Sequence, residues 1–156
     1  MREVQLLRSA EDRRRYEIDG VGWLRSASWL SGRGESGAAD AASAEWAFEP
    51  RGWAGGRAEA LDLRSGMPIG GYRRTATFSH RGEVTWAGRL HTLRTTSSWR
   101  QRFELDRDGV AVVALQVRGY GRAPVTLSVA PDVEPGLVLF TCWLCRLFVT
   151  QDSAAT

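Results

Sequence analysis

The sequence predicts a mainly β protein: a closed antiparallel β-barrel of about 10–12 strands wrapped around an apolar C-terminal α-helix. Three observations carry that expectation. Apolar residues recur with period two from Tyr16 onward, the last long segment is apolar on every side, and that segment is too short to cross a bilayer.

Period two is the spacing of a pleated strand with one buried face. Trp46 and Phe48 alternate with Ala47 and Glu49. Val84, Trp86, Gly88 and Leu90 alternate with Thr85, Ala87, Arg89 and His91, and Trp99, Gln101, Phe103 and Leu105 alternate with Arg100, Arg102 and Glu104. In each run the first set is expected to point inward. Val113, Leu115 and Val117, then Val125, Leu127 and Val129, continue the pattern. Strands are expected to start near Tyr16, Trp23, Trp46, Ala58, Ile69, Ala76, Val84, Trp99, Val110 and Val125. Between them, the stretches Asp62 to Gly66, Ser79 to Gly82 and Asp106 to Gly109 each set an Asp or Ser acceptor ahead of a glycine that tolerates positive φ, which is hairpin chemistry. Residues 31–44, SGRGESGAADAASA, show neither period and read as a flexible loop.

The C-terminal segment breaks the alternation. Glu134 and Pro135 suit a helix start, because Pro is tolerated in the first turn and Glu favours the positive end of the dipole. A central helix over residues 134–150 follows, apolar all round except at Thr141 and Arg146. Such a helix must be buried in protein or in lipid. Leu137 to Val149 makes about 20 Å of helix at roughly 1.5 Å per residue, against a bilayer core of about 30 Å. Burial in protein wins, and only a sheet closed around the helix can cover every side. Arg146 is then expected to snorkel to the barrel mouth.

A chain of 156 residues, 43% apolar, is sized for one domain over residues 1–156, with residues 1–15 as a charged N-terminal segment. That segment holds no apolar stretch of signal-peptide length, and the two cysteines make no disulfide framework, which points to the cytoplasm, at most peripheral to a membrane. All 21 basic residues are arginine, and lysine and asparagine are both absent. Coding bias toward G and C explains both absences, whereas selection for the phosphate-gripping guanidinium explains only the first.

Catalytic chemistry finds little footing. Cys142 and Cys145 have redox-motif spacing but fall midway in the apolar helix, where thiols are buried and inert. With His80 and His91 they reach the ligand count of a zinc site, yet nothing in the spacing brings the histidines to the helix. His80 falls in a turn and His91 on an outward strand position, so both read as solvated, with no Ser or Asp arranged to pair with them. The glycines of residues 52–56 and 119–121 lack the lysine and helix start of a phosphate loop. No catalytic residue, metal or cofactor is expected, and the chain does not read as an enzyme. Most of the seven tryptophans read as core, Trp53 as the one in solvent.

Charge offers more. Arg89, Arg100 and Arg102 fall on outward positions of two strands expected to be hairpin-connected, Arg73 and Arg74 form a neighbouring pair, and Arg118 and Arg122 bracket residues 119–121. Together they can form a cationic face for anionic lipid headgroups, an anionic protein partner or nucleic-acid phosphates. The bland alternative is a solvated wall salted with Glu83 and Glu104.

A resemblance sharpens this. The hairpin from Asp62 through Gly66 to Ile69, the strand from Gly82 to Arg89, the stretch from Phe103 to Gly109, and Pro131 to Phe140 leading into the last helix occur in the order of the tubby C-terminal-like superfamily. Over residues 16–149 the chain resembles its LURP-one-related and phospholipid scramblase-like families, and is shorter than their usual members. The resemblance implies a barrel around a central helix and a non-enzymatic binding or scaffold module docking anionic lipid headgroups or a protein partner. None of tubby's own basic lipid-binding residues can be placed here. The alternatives are a nucleic-acid-binding barrel using the same arginines and a small-ligand-binding barrel or cryptic hydrolase.

Overall fold

A computed structural model describes residues 1–8, 11, 15–28, 35–41, 44–51, 56–117 and 124–154. The chain is mainly β with one C-terminal helix. The strands are β1 (Arg2–Glu3), β2 (Leu6–Arg8), β3 (Arg15–Ile18), β4 (Gly22–Ser28), β5 (Glu35–Ala41), β6 (Ala44–Arg51), β7 (Arg57–Asp62), β8 (Pro68–Arg74), β9 (Gly82–Trp86), β10 (Arg89–Ser97), β11 (Arg102–Arg107), β12 (Val110–Val117) and β13 (Pro124–Val129), followed by helix α1 (Pro135–Ala154). Among the described residues all 13 strands belong to one sheet in the order β1-β13-β12-β11-β10-β9-β8-β7-β6-β5-β4-β3-β2, every pair antiparallel. From β2 to β13 each strand thus lies beside its sequence neighbours, as hairpin connections dictate.

The expected closed barrel needs correction. The two end strands of the order, β1 and β2, are consecutive in the sequence but do not pair with each other: β1 pairs with β13 and β2 with β3. Between them the chain is held by single bonds, Val4 N–H donating to Leu127 O at 2.8 Å and Asp19 N–H to Gln5 O at 3.0 Å. Among the described residues the ladder is therefore not closed into a barrel. The physical reason is that β1 and β2 are two and three residues long, too short to continue one register across the gap. The strand number also exceeds the expected one: β1 and β2 carry no readable alternation, β5 falls within an expected loop, and the run from Val84 divides into two strands.

The sheet nevertheless wraps the helix. α1 lies against β4, β5 and β6 on one side and β12 and β13 on the other, strands far apart in the sheet order. Leu137, Leu139, Phe140, Thr141, Cys142, Trp143, Leu144, Cys145 and Phe148 have no exposed surface. Aromatic contacts fix the rotation of the helix: Phe140 meets Phe48 at 5.2 Å and Trp86 at 5.8 Å, Trp143 meets Phe48 at 5.7 Å, and Phe148 meets Tyr72 at 5.1 Å. Gly136 opens the way at the helix start, since a Cβ there would lie 2.3 Å from Trp86 and 2.8 Å from Trp46. Thr141 is satisfied by donating to Leu137 O at 2.8 Å. Arg146 is half-buried, its guanidinium 5.5 Å from the Tyr16 ring on β3. The helix runs past the expected residue 150 to Ala154, and no helix among the described residues is long and apolar enough to cross a membrane.

Four sequence expectations fail for local reasons. Ala87 and Gly88 both have positive φ, 49° and 80°, and form a two-residue turn that splits the run from Val84 into β9 and β10. The alternation therefore flips: His91 pairs with Val84 and is buried, while Leu90 is exposed. The Ser97–Gln101 turn then places Trp99 outside the ladder at 77% exposure, although Phe103 and Leu105 do point inward. No strand starts at Ala76, which lies in the loop between β8 and β9. Residues 35–41 of the expected loop 31–44 are strand β5, paired on both sides by β4 and β6; the backbone ladder needs no side-chain alternation to form. Residues 31–34 and 42–43 lie outside the described residues. The turns at Asp62–Gly66 and Asp106–Gly109 appear as expected, with Gly66 N–H donating to Asp62 O at 2.8 Å and positive φ at Asp108 and Gly109.

A candidate anion-binding face at the distal end

The sheet has two ends along the helix axis: a proximal end, where α1 begins, and a distal end, where it finishes. The distal end carries the β8–β9 loop (75–81) and the β10–β11 turn (98–101), connections of neighbouring strands. The loop is pinned from both sides. Arg74 Nε donates to Ser79 O at 2.7 Å, Thr75 N–H donates to Arg81 O at 2.9 Å, and the Tyr72 hydroxyl donates to His80 O at 2.7 Å. Burial raises the Tyr72 hydroxyl well above the ordinary tyrosine range, against the opposing pull of Arg74, so it stays a donor. His80 stacks flat on Phe148 at 4.2 Å and 6°, and its Nε2 bonds both carboxylate oxygens of Asp152 at 2.9 and 3.0 Å. The loop is thereby tied to the last turns of the helix. Inside this frame Phe78 points straight out, 99% exposed. The neighbouring turn is held by Ser97 Oγ, which accepts from Arg100 N–H at 3.1 Å, and by Val117 N–H donating to Gln101 O at 3.0 Å, with Gln101 at φ 52°.

Of the arginines singled out in the sequence, Arg73, Arg74, Arg100 and Arg102 come to this end. Arg73 is neutralised by Glu83 at 2.9 Å, and Arg102 Nε donates to Gln116 Oε1 at 3.4 Å. Arg89 does not join them. It begins β10 while Arg100 follows its end, and a nine-residue strand at about 3.3 Å per residue holds them roughly 30 Å apart. It sits at the proximal end, 3.8 Å from Glu134. Arg118, Arg122 and Trp53 lie outside the described residues. Arg81 joins the distal group without having been among the arginines singled out, although it lies within the Ser79–Gly82 turn that the sequence signals.

At the proximal end a different cluster forms. His91 Nδ1–H donates to Val84 O at 3.2 Å and Nε2 accepts from Arg107 Nε at 3.0 Å, which fixes the tautomer; Arg107 also donates to Glu134 Oε2 at 3.0 Å. Burial first, then the neighbouring Arg107 and Arg89, hold His91 below its ordinary pKa, against the opposing bond to Val84 and the Glu134 charge. Burial raises Glu134, but its own backbone N–H, Arg107 and Arg89 outweigh it and leave the carboxyl below the usual range. These groups anchor the start of α1. His91 is thus buried and His80 half-buried rather than solvated, and they occupy opposite ends. Cys142 and Cys145 are free thiols buried between them, Cys142 pushed up to about 12 and Cys145 also raised by burial, so neither is a nucleophile at neutral pH.

Comparison of the chain with protein-family models, with curated proteins and with solved structures finds no match.

Proposed function

We propose that this chain is a binding module that docks an anionic surface, in the first place a layer of lipid headgroups, with the distal end of its sheet. One observation carries the reading: Arg81 and Arg100 stand exposed on adjacent connections, and neither has a carboxylate partner among the described residues. An arginine near an anionic bilayer contributes about 1 kcal/mol, additively over several such residues. Arg74 and Arg102 add charge from positions already fixed by hydrogen bonds, so little side-chain freedom is lost on docking. Arg73 contributes less because Glu83 cancels it. The pinned loop and turn support the same view, since a preformed face binds without an ordering cost.

The same reading keeps the likeness to the tubby-like families as one of element order, a long antiparallel sheet followed by an apolar helix, and needs no closed barrel. Flotation with anionic vesicles at low salt tests the docking. Binding that disappears in Arg81→Glu/Arg100→Glu supports it; a wild-type chain that stays with the protein fraction at low salt, where attraction is strongest, sinks it. Retention on oligonucleotides without retention on vesicles would transfer the arginines to the nucleic-acid alternative.

A further inference from the structure

Resting on that docking face, we propose that Phe78 and Trp99 are anchors that enter the hydrocarbon border of the membrane while the surrounding arginines hold headgroup phosphates. Lone exposed apolar residues are ordinary and call for no explanation. Phe78 and Trp99 differ in three ways. They are aromatics, 99% and 77% exposed, on the tips of neighbouring connections at one end of the sheet. Their backbones are fixed by the bonds of Arg74, Thr75 and Tyr72 around Phe78 and of Ser97 and Val117 around Trp99, so the side chains are held out rather than left loose. Finally, they stand among Arg81, Arg100 and Arg102.

The opposite end supplies the contrast. Its exposed apolar residues Leu63, Met67, Leu90 and Val110 carry no aromatic ring, and the exposed charges beside them are mixed, Asp108 and Asp132 with Arg64 and Arg89. Aromatic rings prefer the border between headgroups and hydrocarbon, where one edge stays wet, and arginine suits the phosphate layer just outside it. A protein partner would need a shaped apolar pocket and a nucleic acid an unstacked base to take up the phenylalanine, whereas the hydrocarbon border takes both rings without either. The anchors also set the orientation: the C-terminal end of α1 faces the bilayer, and the proximal end faces away.

The experiment is flotation with phosphatidylcholine vesicles containing about one third phosphatidylserine, at about 0.1 M and about 1 M salt. Wild-type protein is expected to bind at low salt and to keep part of that binding at high salt, because inserted rings are not screened. Phe78→Ser/Trp99→Ser is expected to bind about tenfold or more weakly at low salt and to be released completely at high salt. Met67→Ser/Leu90→Ser, at the other end, is expected to match wild type. Vesicles with brominated acyl chains should quench tryptophan emission in the wild type and spare Trp99→Phe, which still carries a ring. Wild-type binding that is as fully released by salt as the double variant's overturns the anchors and leaves electrostatic docking standing. Absence of binding at low salt overturns both, as does capture by oligonucleotides alone.

Discussion

His91 offers the sharpest single-residue test, because it joins Val84 on β9, Arg107 at the end of β11 and, through Arg107, Glu134 at the helix start in one chain of hydrogen bonds. Replacing it with leucine leaves the Val84 carbonyl without the Nδ1–H donor and the Arg107 Nε–H without its acceptor, where Val84 has no exposed surface and the Arg107 side chain 14%. A buried polar group left unpaired costs about 1–3 kcal/mol, partly offset by the added apolar surface. For a chain of this size that corresponds to a fall in Tm of about 2–4 °C per kcal/mol. The pH dependence is more specific. The folded pKa of His91 lies below the unfolded value of about 6.5, so the unfolded state binds the proton first. The stabilisation is whole above that value and is lost as pH falls from there through the lowered folded pKa. Protonation would also set a second cation against Arg107. Urea unfolding followed by tryptophan fluorescence at about pH 8 and about pH 5 therefore shows wild type losing stability across the interval, and His91→Leu starting lower but losing less. A variant with the wild-type slope, or one as stable as wild type at the higher pH, refutes the reasoning.

Other outcomes follow from the same contacts. Gly136→Val forces a branched side chain into the Trp46 and Trp86 rings and should cost about 1–3 kcal/mol or more in urea unfolding, while Gly88→Ala at a tip with open space should cost only the strain of its positive φ. Phe148→Ala removes the ring between Tyr72, His80 and Phe103 and should destabilise by about 3–5 kcal/mol, with the β8–β9 loop becoming the first site of proteolysis. Native Cys142 and Cys145 should resist a thiol reagent until the chain unfolds, and labelling without denaturant at the rate of a free thiol would contradict their burial. Acid below the ordinary carboxylate range should remove a further increment of stability as Glu134, held low by Arg107 and Arg89, takes up its proton.

How far the sequence could be read depends on where physics is local. The helix was legible because a segment apolar on every side has one destination in a chain without a membrane-length span, and the inward phases of Trp46, Phe48, Val84, Trp86, Phe103, Leu105, Val113 and Leu115 follow directly from alternation. Alternation says nothing about where a turn falls inside a run. Ala87 and Gly88 look like strand residues, yet their positive φ turned His91 inward and Leu90 outward. Asp106 pairs with Ala111 and Leu105 with Val113, a bulge at Val112 that buries Val112 and Val113 together, which no strict period shows. The same limit governed the candidate face. The arginines could be named from the sequence, but separating Arg89 from Arg100 required knowing that a whole strand lies between them. Phe78 was hidden because the loop bearing it was read as a strand.

Amide hydrogen exchange decides whether the sheet walls in the apolar helix. The amides of residues 137–149 are expected to exchange only through global unfolding, with the same free energy and denaturant dependence as the amides of β9, β10 and β11. Exchange of those helical amides through a cheaper opening, while the strands stay protected, would show that the helix leaves the sheet on its own and is not walled in.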